Sequence, residues 1–541
     1  MSKTSVGVGI FLAAAMAAGV GWYVLQGAPQ VADPGRPNVL IVVWDTVRAD
    51  RLSLYGHALK TTPHLDTFAK EGVVYDNAVS AAMWTLPSHA AMFTGLPESA
   101  HGATSQHKWL DNRFVTLAEW LTDAGYDTWL FSANPYLGDH TNVSQGFATR
   151  EFPWDDRWKK QSRRATLDKL IARDASTSLS PKYVEGEFPS GRPNDKVKDA
   201  GAVVPNALGA WLDETRDKTK PFFAFVNYME AHEPRIPDLA SREALFSGPE
   251  IDAQLAQHRG YGDLLAYTVG VKEFTPDQIA VMAQVYDASL RELDERTQRL
   301  FDELEQRNLL DNTIVVVTAD HGEHLGEHHL LDHKYSVFNP LVKVPLVIRF
   351  PPKLKPARVA DPVSSLNIFA TITELLGLEN PKGTLSKSLL KPEGRPGWAP
   401  TELVHATPLA LDRISAKYEF DWKPFLRTYE SAIEADWKCI LGSDGSRQLY
   451  AQSTDPLEAN NVDAASAAEF DRCYARFQQW KAGFPAYDPA LAGEDDAPVK
   501  GLKDETADRL KALGYVDGEP APAAGEPQQA APEAEAPEGG E

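Results

Sequence analysis

Asn38-Val39-Leu40-Ile41-Val42-Val43-Trp44-Asp45 is an almost unbroken apolar, β-branched run that ends in a carboxylate. Such a run suits a strand buried on both faces of a parallel sheet, and ligands of open α/β sheets bind at the carboxyl ends of these strands. Thr313-Ile314-Val315-Val316-Val317-Thr318-Ala319 repeats the pattern and ends in Asp320-His321-Gly322-Glu323. One strand that ends in Asp is ordinary, because Asp also serves turns and caps. Two such strands bring two carboxylates and an imidazole to one edge of a sheet.

A third stretch, Trp84-Thr85-Leu86-Pro87-Ser88-His89-Ala90-Ala91, places a hydroxyl at the mouth of a helix. Pro87 suits the first turn, and residues 88–94 read as helical until Gly95 stops them. Alone, Thr85 is a helix cap. With Asp45, Asp320 and His321 as companions, its oxygen becomes the fourth ligand of an O/N site that favours zinc or manganese and accommodates calcium. A cation bound to a hydroxyl favours the alkoxide near neutral pH, which makes Thr85 a candidate nucleophile.

These residues resemble the sulfatase family of the alkaline phosphatase superfamily. Residues 37–45 resemble its first metal strand, 85–95 its nucleophile helix and 318–328 its second metal motif. The likeness continues through Val344-Pro345-Leu346-Val347-Ile348-Arg349, Gln448-Leu449-Tyr450, Asp455-Pro456-Leu457-Glu458 and Leu510-Lys511-Ala512-Leu513-Gly514-Tyr515, so it covers residues 37–516. The resemblance implies an alkaline-phosphatase-like α/β fold, with a mixed, mostly parallel sheet between helices and a small C-terminal α+β subdomain. It also implies that His232 and His333 are catalytic groups that steady an oxyanion or protonate a leaving oxygen, with His89 and Asn134 as substrate-binding groups.

The departures are informative. Sulfatases oxidise a Cys or Ser within C/S-x-P-x-R to formylglycine, and the corresponding residues here are Thr85, Pro87 and His89. Threonine cannot become formylglycine. Thr46 follows Asp45 where sulfatases carry a second calcium-site aspartate, and residues 128–136 lack the lysine expected after the next strand. The threonine resembles that of the superfamily's lipid-linked phosphotransferases. The leading expectation is therefore a metal-dependent hydrolase or transferase of phosphate esters or diesters. A sulfatase that works without formylglycine, and a non-catalytic protein that binds glycans or anions, are the alternatives. A second metal among His324, His328 and His329 is weighed against a solvated loop.

With 541 residues, 43% of them hydrophobic, the chain can bury a sizeable core. A net charge of −22 argues against nucleic acid as a partner and leaves a small anionic ester, or a lipid- or glycan-linked one, as the substrate class. Cys439 and Cys473 are too few for a thiolate cluster and leave a single disulfide open. Residues 6–25 carry no charge and are closed by Trp22 and Tyr23, which reads as an uncleaved membrane anchor in preference to a cleaved signal segment, with the catalytic domain outside the cytoplasm. The expected organisation is anchor and linker over 1–36, catalytic domain over 37–400, C-terminal subdomain over 401–516 and an acidic, disordered tail over 517–541. Residues 285–307 read as an amphipathic helix, whereas 154–206 and 239–277 read as irregular insertions at the site mouth.

Overall fold

The computed structural model describes residues 35–176, 201–246, 261–405, 411, 414–493, 506 and 510. In chain order its first strands are β1 (Asn38–Trp44), β2 (Val73–Val79), β3 (Asp127–Ser132), β4 (Thr149–Glu151), β5 (Phe222–Tyr228) and β6 (Thr313–Thr318). There follow β7 (His324–Leu325), β8 (Leu331–Asp332), β9 (Lys343–Val344), β10 (Leu346–Arg349) and β11 (Ala357–Ser364). The main sheet runs β11-β2-β10-β6-β1-β5-β3-β4, with β9 paired to β2. Strands β6, β1, β5, β3 and β4 are parallel, while β10 opposes both β6 and β2. This is the mostly parallel, helix-flanked sheet that the resemblance implies.

Every residue of β1, β5 and β6 is buried, as expected for strands with neighbours on both sides and helices above and below. Full burial of each Val, Leu, Ile or Phe contributes roughly 1.5–3 kcal/mol, so these three strands anchor the core. The described helices that matter here are α1 (Thr85–Thr94), α2 (Leu117–Asp123), α3 (Pro276–Glu305), α4 (Ile368–Leu376) and α5 (Ala467–Lys481). Gly95 ends α1 in the left-handed conformation, as its position in the sequence suggests.

Helix α3 starts nine residues before the expected 285. None of residues 276–285 is buried, so apolar periodicity fades there, and a capping box between Thr275 and Gln278 fixes the start instead. The insertions are also more regular than expected. Lys159–Ser176, Leu239–Leu245 and Tyr261–Thr268 are helices.

A second, antiparallel sheet has the order β12 (Trp398–Leu403), β13 (Tyr429–Glu434), β14 (Trp437–Gly442) and β15 (Arg447–Ala451). Helix α5 packs on it, and a Cys439–Cys473 disulfide joins the two. Buried Lys438 of β14 reaches the loop after β8, where its ammonium donates to Val337 O at 2.7 Å, and it pairs with Glu458 at 2.8 Å.

The membrane-anchored placement outside the cytoplasm is corrected. A span needs about 20 apolar residues in one helix, and no helix among the described residues is long and apolar enough to cross a membrane. Residues 6–25 themselves, like the tail over 517–541, lie outside the described residues.

Candidate active site

Because β6, β1, β5 and β3 are adjacent and parallel, their C-terminal ends bring Asp320, Asp45, Asn227 and Asn134 to one edge of the sheet. Asn134 Nδ2 donates to Asp45 Oδ2 at 2.8 Å and to Thr85 Oγ1 at 3.3 Å, and Asn227 Nδ2 donates to Asp45 Oδ2 at 3.3 Å. Asp320 Oδ1 accepts the backbone N–H of His321 at 2.9 Å and of Thr46 at 3.2 Å. Thr46 adopts φ 61°, an uncommon conformation for a β-branched residue. Its carbonyl is held by the Tyr286 hydroxyl at 2.7 Å.

These contacts use one face of each group and leave another unused. Among the described residues, Asp45 Oδ1, Asp320 Oδ2 and His321 Nε2 are buried and take no hydrogen bond. Ligand atoms of the three residues lie within 4.8 Å of one another. His321 Nδ1 donates to Gly322 O at 3.0 Å, which leaves the Nε2 lone pair facing inward. Burial pushes the Asp45 carboxyl up to about 7, with Asp320 adding to it, and burial likewise pushes Asp320 up to about 7. Burial, reinforced by His333, pushes His321 down to about 3, so its ring is a neutral donor. Two buried carboxylates beside a neutral imidazole are short of positive charge, and a divalent ion fits that deficit and that donor set.

Helix α1 is tied to the same place. Ser88 Oγ donates to Asp320 O at 2.6 Å, and Ser80 Oγ donates to the same carbonyl. Thr85, in the first turn of α1, is fully buried beside this edge. His89 donates from Nδ1 to Thr85 O at 2.8 Å and packs against Phe225 and Phe93, so it meets Thr85 through the backbone. Burial pushes its imidazole down to about 3.

His232 and His333 complete the arrangement. The His333 ring lies 4.7 Å from His321 and 4.8 Å from His232 between centroids. Burial alone would lower the His333 pKa, but Asp332 at 2.6 Å and then Glu323 at 3.8 Å push it up to about 10. It is therefore an imidazolium near neutral pH. Glu323, Asp332 and His333 are also close enough to hold an ion. However, Arg235 stands 2.9 Å from Glu323 and Lys334 stands 3.0 Å from Asp332, so this group already carries its own cations.

Among the described residues, His324, His328 and His329 form no group spaced to hold a metal; His324 is buried, His328 half-buried and His329 exposed. His324 bonds Ser336 Oγ at 2.7 Å, His328 stacks on Phe338 at 3.8 Å, and His329 lies 4.1 Å from the Tyr267 ring. Sequence reasoning missed Asn227, Glu323, Asp332 and Arg235. Asn227 was findable as the lone amide in the apolar run of β5. Arg235 has local partners in Ala231 and Glu233, but nothing in the sequence points to its contact with distant Glu323.

A family model described as Sulfatase matches residues 37–378, and the chain belongs to that family. It is an ester-hydrolysing enzyme of the alkaline phosphatase superfamily. An N-acetylgalactosamine-6-O-sulfatase of Bacteroides thetaiotaomicron is 23% identical over 79% of this chain and 89% of its own length. The multifunctional alkaline phosphatase superfamily protein PehA of Trinickia caryophylli is 26% identical over 78% of this chain and 88% of its own. Among solved structures, the phosphonate monoester hydrolase of Agrobacterium radiobacter superposes with a TM-score of 0.63 at 23% identity, over 86% of this chain and all of that one, and so shares the fold.

Proposed function

We propose that this enzyme cleaves phosphate esters or diesters through Thr85. The observation that carries this reading is the Asn134 amide, which donates to both Thr85 Oγ1 and Asp45 and so places the hydroxyl against the open carboxylate pair. Asp45, Asp320 and His321 would hold a divalent ion, with Thr85 Oγ1 as fourth donor and zinc or manganese favoured over calcium. Such an ion would favour the Thr85 alkoxide and neutralise the ester's charge.

Thr85 Oγ1 attacks phosphorus in line, forming a P–O bond to threonine as the bond to the leaving oxygen breaks. His333, held as an imidazolium by Asp332, and His232 face the departing oxygen and stabilise its charge or protonate it. Asn134 holds Thr85 in line with its two amide hydrogens, one on Thr85 Oγ1 and one on Asp45, while His89 fixes the carbonyl of the nucleophile. Water then attacks the phospho-threonine and frees Thr85. A second hydroxyl in place of water gives transfer, as in the threonine phosphotransferases that the nucleophile resembles.

A second reading, hydrolysis of sulfate esters by the same Thr85, is favoured by the family match and by the sulfatases among the relatives. Matched aryl phosphate, phosphodiester and sulfate substrates separate the two. A higher kcat/KM on the phosphorus esters supports the first reading, and preference for sulfate overturns it.

A further inference from the structure

Arg235 stands at a junction that the proposed mechanism does not use. Its guanidinium is buried and forks three ways. Nε donates to Ala231 O at 2.6 Å, Nη1 donates to Glu233 Oε1 at 2.6 Å, and Nη2 lies 2.9 Å from Glu323 Oε2. The first two contacts bracket His232, whose own Nδ1 donates to Glu233 O at 2.6 Å. The third reaches the carboxylate 3.8 Å from His333 Nδ1. The guanidinium also lies 5.0 Å from the centre of the Tyr286 ring, and the Tyr286 hydroxyl holds the Thr46 carbonyl next to Asp45.

We propose that Arg235 is a positioning residue that sets the His232 and His333 rings relative to each other and to the strand end bearing Asp45. The two histidines come from segments about a hundred residues apart in sequence, and no backbone hydrogen bond in the described residues joins the 231–235 turn to the 323–333 loop. The planar guanidinium supplies that joint, since its fork fixes the separation between the groups it binds. Buried ion pairs add little net stability, so the contribution of this one is sought in the placement of the groups it pairs. Lysine, with one point charge, cannot bind Ala231 O, Glu233 and Glu323 in the same planar arrangement.

This inference rests on the reading that the two histidines act on the leaving oxygen, and leaving-group dependence tests it. The parent enzyme and Arg235→Lys and Arg235→Gln are compared on phenyl and 4-nitrophenyl esters of the preferred acid, with manganese binding followed by calorimetry. Phenoxide needs help to leave and nitrophenoxide needs little. Loss of the histidines' alignment therefore lowers kcat/KM on the phenyl ester by about tenfold more than on the nitrophenyl ester, with manganese affinity retained. Arg235→Lys keeps the charge and gives the same selective loss if Arg235→Gln does not fold. Equal losses on both esters, no loss on either, or loss of manganese binding overturns the inference. Thr85→Ala is run alongside. If it stays active, the underlying mechanism fails; if it is inactive while the Arg235 variants lose both esters equally, only the positioning role fails.

Discussion

Two groups of two carboxylates and one imidazole sit side by side in this protein, equally buried and opposite in electrostatics. Asp45, Asp320 and His321 hold ligand atoms within 4.8 Å of one another, and no lysine or arginine among the described residues pairs with them. Glu323, Asp332 and His333 are of the same composition and also hold buried atoms without a hydrogen bond, but Arg235 and Lys334 pair with the two carboxylates, which in turn hold His333 as an imidazolium. Composition alone does not distinguish a metal cage from a charge-balanced network. The difference lies in whether the chain supplies the compensating cations itself.

The largest expected effect breaks the link between the open group and chemistry. Thr85→Ala lowers kcat by about a thousandfold or more, because a nucleophile and its activating partners act as a unit. Retention of more than about a tenth of parent activity by steady-state assay contradicts the mechanism.

Next come paired substitutions of opposite sign. Asp320→Asn keeps an oxygen for the His321 and Thr46 amides yet removes an uncompensated charge, so the metal-free protein gains stability at pH 8 while activity is lost. Lys334→Met strips a cation from the closed group and costs about 3 kcal/mol, the usual penalty for breaking a buried pair. Thermal melts in chelator read both, and a drop in Tm for both variants would remove the distinction between the groups.

The pH response sharpens the same contrast. Asp45 and Asp320 keep their protons up to about pH 7 in the metal-free fold, against 3.8 for an ordinary aspartate. The folded state therefore binds more protons than the unfolded one between these values, and their contribution to stability falls as pH rises through that window. A divalent ion must displace the same protons, so the rise in Tm on adding manganese grows from pH 5 to pH 8. A shift independent of pH would place the ion elsewhere. The smallest effect belongs to Asn227→Ala, which removes an amide behind Asp45 and weakens manganese binding by about tenfold, as read by calorimetry.

Much of the open group was legible in the sequence because its residues terminate continuous apolar strands, and a parallel sheet aligns strand ends without any long-range guess. Helix α1 was legible because Gly95 stops it. The attachment of α1 to the Asp320 carbonyl through Ser80 and Ser88 was not, since serines near a helix start read equally well as caps. The closed group was hidden for another reason. It depends on a loop in which His328, His329, Asp332 and Tyr335 all adopt positive φ without being glycine, so only Gly326 at its start marks a turn. The N-terminal apolar stretch lies outside the described residues, and no described helix is long and apolar enough to cross a membrane.

The central claim is that Thr85 is the group that carries the transferred phosphoryl or sulfuryl group. Rapid acid quench of the manganese-loaded enzyme during turnover of an aryl phosphodiester, followed by peptide mass mapping, tests it directly. The expected result is a phosphoryl adduct on Thr85 that disappears once substrate is exhausted. Undiminished turnover with Thr85 unmodified, or an adduct on a different side chain, would contradict it.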